Sequence, residues 1–363
     1  MIKKNTKYKY DIAIIPGDGI GIEVIKSSLV IVKRILSLEK ILIKENYYPW
    51  GSKYYKKHNK MMPDKGISQL KRHDAIFFGA VGDLKIPDDI TLWGLRLKIC
   101  QKLDQYANIR PTKYLTGIKS PLRKELAKKI DWVIVRENTE GEYSGAGGII
   151  HSSIPLELGS EVAIFTREGC KRIHEYAFKI ANKRKKRHLT LVTKSNAQKH
   201  GMKLWDKTFY EVRKNFPKVK VQKMLVDAVT ANMVNKPENF DVLVATNLHA
   251  DILSDLASAL TGSLGIGATA NISTNKENPS MFEPIHGSAF DIMGKNIANP
   301  IGAILSGALM LEHLGEIKSS KRIYKLIEIY AKNEGPFTPD LGGKATTNDV
   351  IKILEKIIKD KFF

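Results

Sequence analysis

"FDVLVATNLHADILSD", residues 240–255, joins a short apolar run to a stretch that reads as helical. The run around Val242–Val244 fits a strand buried on both faces. Asn247 is a residue type that can cap the helix start. On that helix Asp251 and Asp255 sit four residues apart and share a face. Like charges at this spacing cost an isolated helix about 0.2–0.5 kcal/mol. No Lys or Arg lies between Asn247 and Gly265 to offset them. The pair stands just beyond the C-terminal end of a strand, where open α/β sheets bind ligands. Two readings stay open here. Hard carboxylate oxygens suit Mg²⁺ or Mn²⁺, and acidic residues are also favoured at a solvated helix N-terminus.

Working outward, apolar β-branched runs alternate with helical patterns along the chain. "YDIAIIPGDG" (10–19) reads as a strand and turn, "GIEVIKSSLVIVKRILSL" (21–38) as a helix, and "HDAIFFGAVG" (73–82) as a second strand and Gly-rich turn. "DWVIVREN", "VAIFTREG", "LTLVTKSN" and "FDVLVATNL" are further short strands, most of them followed by helical stretches. Helical patterns at 303–314 and 351–359 close the chain. The alternation predicts an α/β fold with a largely parallel sheet. With 363 residues the chain has room for two domains.

Composition excludes several classes. Hydrophobic residues make up 43% and charged residues 27%, an ordinary globular balance. Cys100 and Cys170 are the two cysteines. They are too few for a secreted disulfide scaffold and fit no metal spacing, which points to a reducing, cytoplasmic compartment. The basic start before "YDIAIIPGDG" resembles a signal n-region, but the apolar run is short and breaks at Pro16, so a leading strand is expected. No apolar run reaches the roughly 20 residues of a membrane helix. The net charge of +21 raises the question of a nucleic-acid partner. The dense run "NKRKKRH" (182–188) carries no interleaved aromatic residues for stacking, so it is read as a solvated turn and nucleic acid as an unfavoured partner.

Four further stretches bear on chemistry. "GIGATA" (265–270) matches a dinucleotide fingerprint but follows a helical segment and is discounted. In "VRENTEGEYSGAGG" (135–148), Arg136 can bind a carboxylate through paired hydrogen bonds and Tyr143 can deliver a proton; the competing reading is an exposed loop. In "TKSNAQKHG" (193–201), Lys194 ends a strand and can serve as a base, although one Lys among so many carries little information alone. "FEPIHGSAFDIMGKNIANP" (282–300) reads either as a loop around adenine and ribose or as a polar connection. The glycines of "PGDGIG" (16–21) are read as allowing close approach of a ligand to the backbone.

Together these stretches resemble the isocitrate/3-isopropylmalate dehydrogenase family, from "IIPGDGIG" to "TPDLGGKATT". The decarboxylating D-malate/tartrate branch is the most similar, through "KMMPD", "LWG", "LDQYANIRP", "RENTEGEYSG", "TKSN" and "GKNIANP". The resemblance implies a two-domain α/β, isopropylmalate dehydrogenase-like fold distinct from the Rossmann arrangement. Its large, discontinuous domain would take residues 1–112 and 265–363, and its second domain, with the dimer contact, residues 113–264. The active site would lie in a cleft and be shared within a homodimer. Asp251 and Asp255 of one subunit and Asp227 of the other would hold Mn²⁺ or Mg²⁺, with a monovalent cation as a further candidate. Arg110 and Arg136 would grip substrate carboxylates. Lys194 would be the base from the partner, assisted by Asp227, and Tyr143 the proton donor. Glu283, His286, Gly287, Ser288, Ala289, Asp291, Asn299 and Asn196 would contact NAD, with Asp291 favouring NAD over NADP. The implied reaction is oxidative decarboxylation of a 2-hydroxy diacid: D-malate to pyruvate, CO₂ and NADH, or tartrate. The alternatives are 3-isopropylmalate or isocitrate as substrate, or a basic anion- or RNA-binding protein on the same fold that has lost turnover.

Two positions depart from the family pattern. Cys100 stands where the family usually has an Arg, ten residues before Arg110. A thiol offers no fixed charge or two-pronged donor. Two readings stay open for Arg96, one α-helical turn earlier: it reaches down about 5–6 Å and replaces the missing guanidinium in substrate binding, or it faces solvent and the site has lost a carboxylate contact. Phe290 replaces the usual Pro before Asp291.

Overall fold

A computed structural model of the chain describes residues 8–362. The basic start at residues 1–7 lies outside them. Two compact units form. The first takes in the chain up to Gln105, Tyr114–Arg123, and from Ser258 onward; the second is Tyr106–Lys113 with Lys124–Ala257.

In the first unit five strands run in the order Ile43–Tyr47, Tyr10–Gly17, Ala75–Ala80, Ser280–Pro284, Ala268–Ile272. All neighbours are parallel except the last pair. Ala75–Ala80 is buried along its whole length, which is why its sequence is continuously apolar. The helix Gly21–Ser37 buries Val24, Ile25, Leu29, Val32, Ile35 and Leu36 along one stripe. Each such side chain contributes about 1.5–3 kcal/mol of burial. Ile301–His313 packs on that helix, and Thr347–Phe362 packs beside it.

The "PGDGIG" turn has a different explanation from the one expected. Gly17 and Gly19 have φ of +70° and +54°, and a Cβ on either would stand 1.9 Å from the Ala80 or Ser288 carbonyl oxygen. The glycines admit the chain's own backbone. Asp18, between them, accepts hydrogen bonds from the Ser52 amide and hydroxyl at 2.7 Å and from the Gly82 amide at 3.1 Å.

In the second unit the strand order is Ala107–Lys113, Asp131–Glu137, Val242–Ala245, His188–Thr193, Lys220–Leu225. The first pair is antiparallel and the others parallel. Because Ala107–Lys113 pairs with Asp131–Glu137, it falls in this unit. "VAIFTREG" departs from the expected strand-then-helix unit of a parallel sheet. Its strand, Leu158–Ile164, pairs antiparallel with Gly141–Ile150 in a separate two-stranded ribbon, and every one of its residues is exposed. The "NKRKKRH" run is more than a solvated turn. Arg184 pairs with the buried carboxylate of Asp241 at 2.5 Å, and Lys186 donates to the Glu238 and Phe240 carbonyls at 3.1 Å. Among the described residues no helix is long and apolar enough to cross a membrane.

Candidate active site

Four parallel strands of the second unit deliver their chemistry at their C-terminal ends. Asp131–Glu137 carries Arg136, His188–Thr193 leads into Lys194, Lys220–Leu225 leads to Asp227, and Val242–Ala245 leads into the helix Asn247–Thr261 with Asp251 and Asp255. Open parallel sheets gather ligand-binding groups at this edge because the chain turns there into loops and helix N-termini.

Arg136 is buried, and its Nε donates to Asn247 Oδ1 at 2.8 Å. Its guanidinium forms an ion pair with Asp251. Arg110, from the antiparallel neighbour strand, donates to Asp251 Oδ1 at 3.1 Å and to the Ser254 hydroxyl at 2.5 Å, and stands 3.7 Å from Asp255 Oδ1. The Tyr143 hydroxyl donates to Asp251 Oδ2 at 3.3 Å, and the Arg136 guanidinium lies 5.4 Å from the Tyr143 ring centre. Arg110, Arg136 and Tyr143, three residues expected to act on substrate, thus converge on the Asp251 carboxylate.

The charge opposite the Asp251–Asp255 pair is therefore supplied from other strands. An exposed like-charge pair costs about 0.2–0.5 kcal/mol. A guanidinium about 3 Å from a carboxylate gains several kcal/mol before desolvation, at an effective dielectric near 20. The attraction wins, so the helix start is stable with both acids in place. Asp255 is raised above the ordinary carboxylate range by burial and by Asp251, with Arg110 pulling the other way.

This donor set fits a divalent cation. Asp251 and Asp255 offer hard oxygens on successive turns, and Asp255 gains from any nearby positive charge. Mg²⁺ in particular is commonly held by one or two carboxylates, with water and substrate completing the shell. Among the described residues of one chain, no three His, Cys, Asp or Glu side chains gather in a metal-holding group. Asp227 pairs instead with Lys194, Nζ to Oδ1 at 2.5 Å, on a more exposed surface. The hydrogen bond from Lys194 holds Asp227 below the usual carboxylate range.

The expected cofactor residues, Asn196 apart, lie in the first unit. His286 Nδ1 is 3.0 Å from the Gly287 carbonyl, while its Nε2 is buried with no hydrogen-bond partner. Burial keeps the ring neutral by lowering its pKa. An orphaned ring nitrogen beside the glycine of 287 and the left-handed Ala289, φ +40°, suits a planar, hydrogen-bonding ligand such as adenine. Asp291 is exposed, as a ribose contact requires. The Ser288 carbonyl accepts from Ile20 N at 2.8 Å, which ties this loop to the "PGDGIG" turn. Asn299 is used within the fold: its Nδ2 donates to Asp340 at 2.9 Å and its Oδ1 accepts from Ile301 N at 3.0 Å. Asn196, in the second unit, is exposed after Lys194.

Arg96 and Cys100 lie in different settings. Leu92–Leu97 winds as a π-helix before the α-helix Lys98–Lys102 begins. The α-helical spacing that would put the two residues on one face does not apply there. Cys100 is fully buried among Ile15, Met61, Leu95, Ile99 and Leu103. Arg96 pairs instead with Glu283, NH2 to Oε1 at 2.7 Å, and both side chains are largely buried.

Other residues escaped the sequence reading. Asn247 holds Arg136 with its side chain, and the expected cap role passes to Glu142, whose carboxylate accepts from Leu248 N and the Thr246 hydroxyl, both at 3.3 Å. Glu137 is buried beside Arg136, and burial pushes its pKa up to about 7.

The chain resembles known proteins over nearly its whole length. The isocitrate/isopropylmalate dehydrogenase family profile matches residues 11–354. A probable tartrate dehydrogenase/decarboxylase of Agrobacterium vitis is 57% identical over 346 residues, spanning 94% of this chain and 96% of the relative. The D-malate dehydrogenase [decarboxylating] of Escherichia coli K12 is 44% identical over 354 residues, spanning 96% and 98%. The crystal structure of isocitrate dehydrogenase from Methylococcus capsulatus matches with a TM-score of 0.86 at 32% identity, over 96% of this chain and 99% of that one. The chain belongs to the isocitrate/isopropylmalate dehydrogenase family and has its α/β fold.

Proposed function

We propose that this protein oxidatively decarboxylates a 2-hydroxy diacid with NAD, D-malate foremost and tartrate as a second substrate. The observation that carries the reading is the convergence of Arg110, Arg136 and Tyr143 on Asp251. The similarity to tartrate and D-malate dehydrogenases supports the substrate class.

When bound, a divalent ion held by Asp251 and Asp255 supplies a Lewis acid at the substrate oxygens and NAD supplies the hydride acceptor. Arg110 and Arg136 bind and orient the substrate carboxylates through paired hydrogen bonds. Lys194 takes the C2 hydroxyl proton, with Asp227 at 2.5 Å as its relay. Tyr143 gives a proton to the carbon from which CO₂ departs. Asp291 accepts from the adenosine ribose and repels a 2′-phosphate. The enzyme works as a homodimer in which Lys194 and Asp227 serve the partner's Asp251 site. The exposed ribbon Gly141–Ile150 and Leu158–Ile164, with its apolar Ile149, Ile150, Leu158 and Val162, supports that assembly. Cys100 and Cys170, both buried and not joined in a disulfide, fit a cytoplasmic setting.

The test compares kcat/KM for D-malate, tartrate, isocitrate and 3-isopropylmalate with NAD and Mn²⁺. D-malate or tartrate leads under the proposal. A lead for isocitrate or 3-isopropylmalate assigns another substrate of the family. RNA binding without turnover on any of the four overturns the reading.

A further inference from the structure

We propose that Glu137 is a positioning residue, whose carboxylate shapes the turn that sets Arg136 and Tyr143 against each other. This rests on the oxidative decarboxylation reading, in which Arg136 holds substrate and Tyr143 delivers a proton.

Glu137 ends its strand pointing into the protein, and its side chain is only 3% exposed. A buried carboxylate is costly unless its oxygens are hydrogen-bonded. Here all the donors are local. Oε1 accepts from the Thr139 amide at 3.0 Å and the Thr139 hydroxyl at 2.8 Å. Oε2 accepts from the Glu140 amide at 2.8 Å. A cation acts on it through Thr139: Arg172 donates to that hydroxyl at 2.8 Å while lying 4.4 Å from the Tyr106 ring centre.

The turn so formed closes on the active site. The Glu140 carbonyl accepts from Asn247 Nδ2 at 3.3 Å, and Asn247 Oδ1 accepts from Arg136 Nε at 2.8 Å. The circuit leaves the strand at Glu137 and returns to the residue before it, through the helix that bears Asp251. Gly141, at φ +73°, then leads the chain into the strand that carries Tyr143. Arg136 and Tyr143 thus stand at the two ends of one turn, and the Glu137 carboxylate is the group that satisfies its interior amides. Glutamine at 137 keeps the shape but turns one acceptor into a donor facing an amide N–H.

The experiment compares wild type, Glu137→Gln and Thr139→Val. Steady-state kinetics use D-malate, NAD and Mn²⁺, and the arginine Nε–H resonances are followed in isotope-labelled protein, with Arg136 assigned through Arg136→Lys. Glu137→Gln is expected to raise the D-malate KM and lower kcat, each by about tenfold, the scale of one lost charged hydrogen bond. The KM for NAD stays unchanged, and the Arg136 Nε–H signal shifts and loses protection from exchange. Thr139→Val moves the same quantities less, and it decides the question alone if Glu137→Gln does not fold. Unchanged D-malate kinetics and an unmoved Arg136 signal overturn the proposal. A wild type without diacid turnover sinks the functional reading instead, while the Arg136 signal still decides the positioning role.

Discussion

Arg96 grips Glu283 with two prongs: its Nε lies 2.9 and 3.1 Å from the two carboxylate oxygens, and its NH2 lies 2.7 Å from Oε1. Asn271 Nδ2 adds a third bond to Oε1 at 2.7 Å. Removing one partner of such a buried pair leaves an uncompensated charge, at a cost of about 3–5 kcal/mol. Arg96→Ala should therefore lower the thermal midpoint clearly. The further substitution Glu283→Leu should restore much of the loss, because two apolar groups leave no buried charge. A midpoint unmoved by Arg96→Ala contradicts the pair's structural weight. Unchanged KM and kcat for the best diacid would remove Arg96 from substrate recognition.

That pair marks the limit of what sequence could reveal. The strands and helices were legible because their apolar periods are clear: the continuous run Ala75–Ala80 and the stripe of Gly21–Ser37 lie where expected. The meeting of Arg136, Tyr143 and Asp251 was foreshadowed by motif resemblance, since no local pattern links residues over a hundred positions apart. The π-winding of Leu92–Leu97 was not legible. A π-turn changes the register by hydrogen-bond choice, without a composition of its own. Glu137 and Glu142 were hidden for a related reason. A Glu in a polar loop reads as solvated until the donors around it are known.

The acidic helix start yields the second prediction. A ligand that binds only the folded state raises stability according to its concentration over its dissociation constant. Mn²⁺ should therefore raise the thermal midpoint of the wild type, and Asp255→Asn should largely abolish the rise. Asp255 is the better probe because Asp251 also neutralises Arg110 and Arg136, so Asp251→Asn should destabilise the metal-free protein as well. A full Mn²⁺ response in Asp255→Asn would exclude that carboxylate as a ligand.

Two buried groups should give stability an opposed pH dependence. His174, packed against Trp205 and Phe209, is lowered by burial to about 3. The unfolded chain takes up its proton first, so the stability held above the ordinary histidine value of 6.5 is lost as pH falls from there toward 3. Glu137 runs the other way. With its pKa raised from 4.5 to about 7, the folded state keeps the proton longer, and stability falls as pH rises through that window. Denaturant midpoints between pH 4 and 8 should show His174→Phe flattening the acid loss and Glu137→Gln flattening the opposing slope. Parallel curves for all three proteins would contradict both assignments.

The sharing of active sites between subunits can be tested with two inactive variants. Tyr143→Phe removes the proposed proton donor beside Asp251, and Lys194→Ala removes the proposed base beside Asp227. Each should lower kcat by about 10²–10⁴-fold, the usual contribution of a positioned acid or base. In a two-fold dimer whose sites combine Tyr143 of one chain with Lys194 of the other, a mixed dimer carries both defects in one site and neither in the second. Random exchange makes half the dimers mixed, so unfolding and refolding the two variants together should restore about a quarter of wild-type activity. Sites built within one chain would recover nothing. Charged substitutions in the exposed ribbon, such as Ile150→Asp with Val162→Lys, should block both dimer formation and this recovery, as read by size-exclusion chromatography and the same assay. Recovery that persists in ribbon variants would place the dimer contact elsewhere on the second unit.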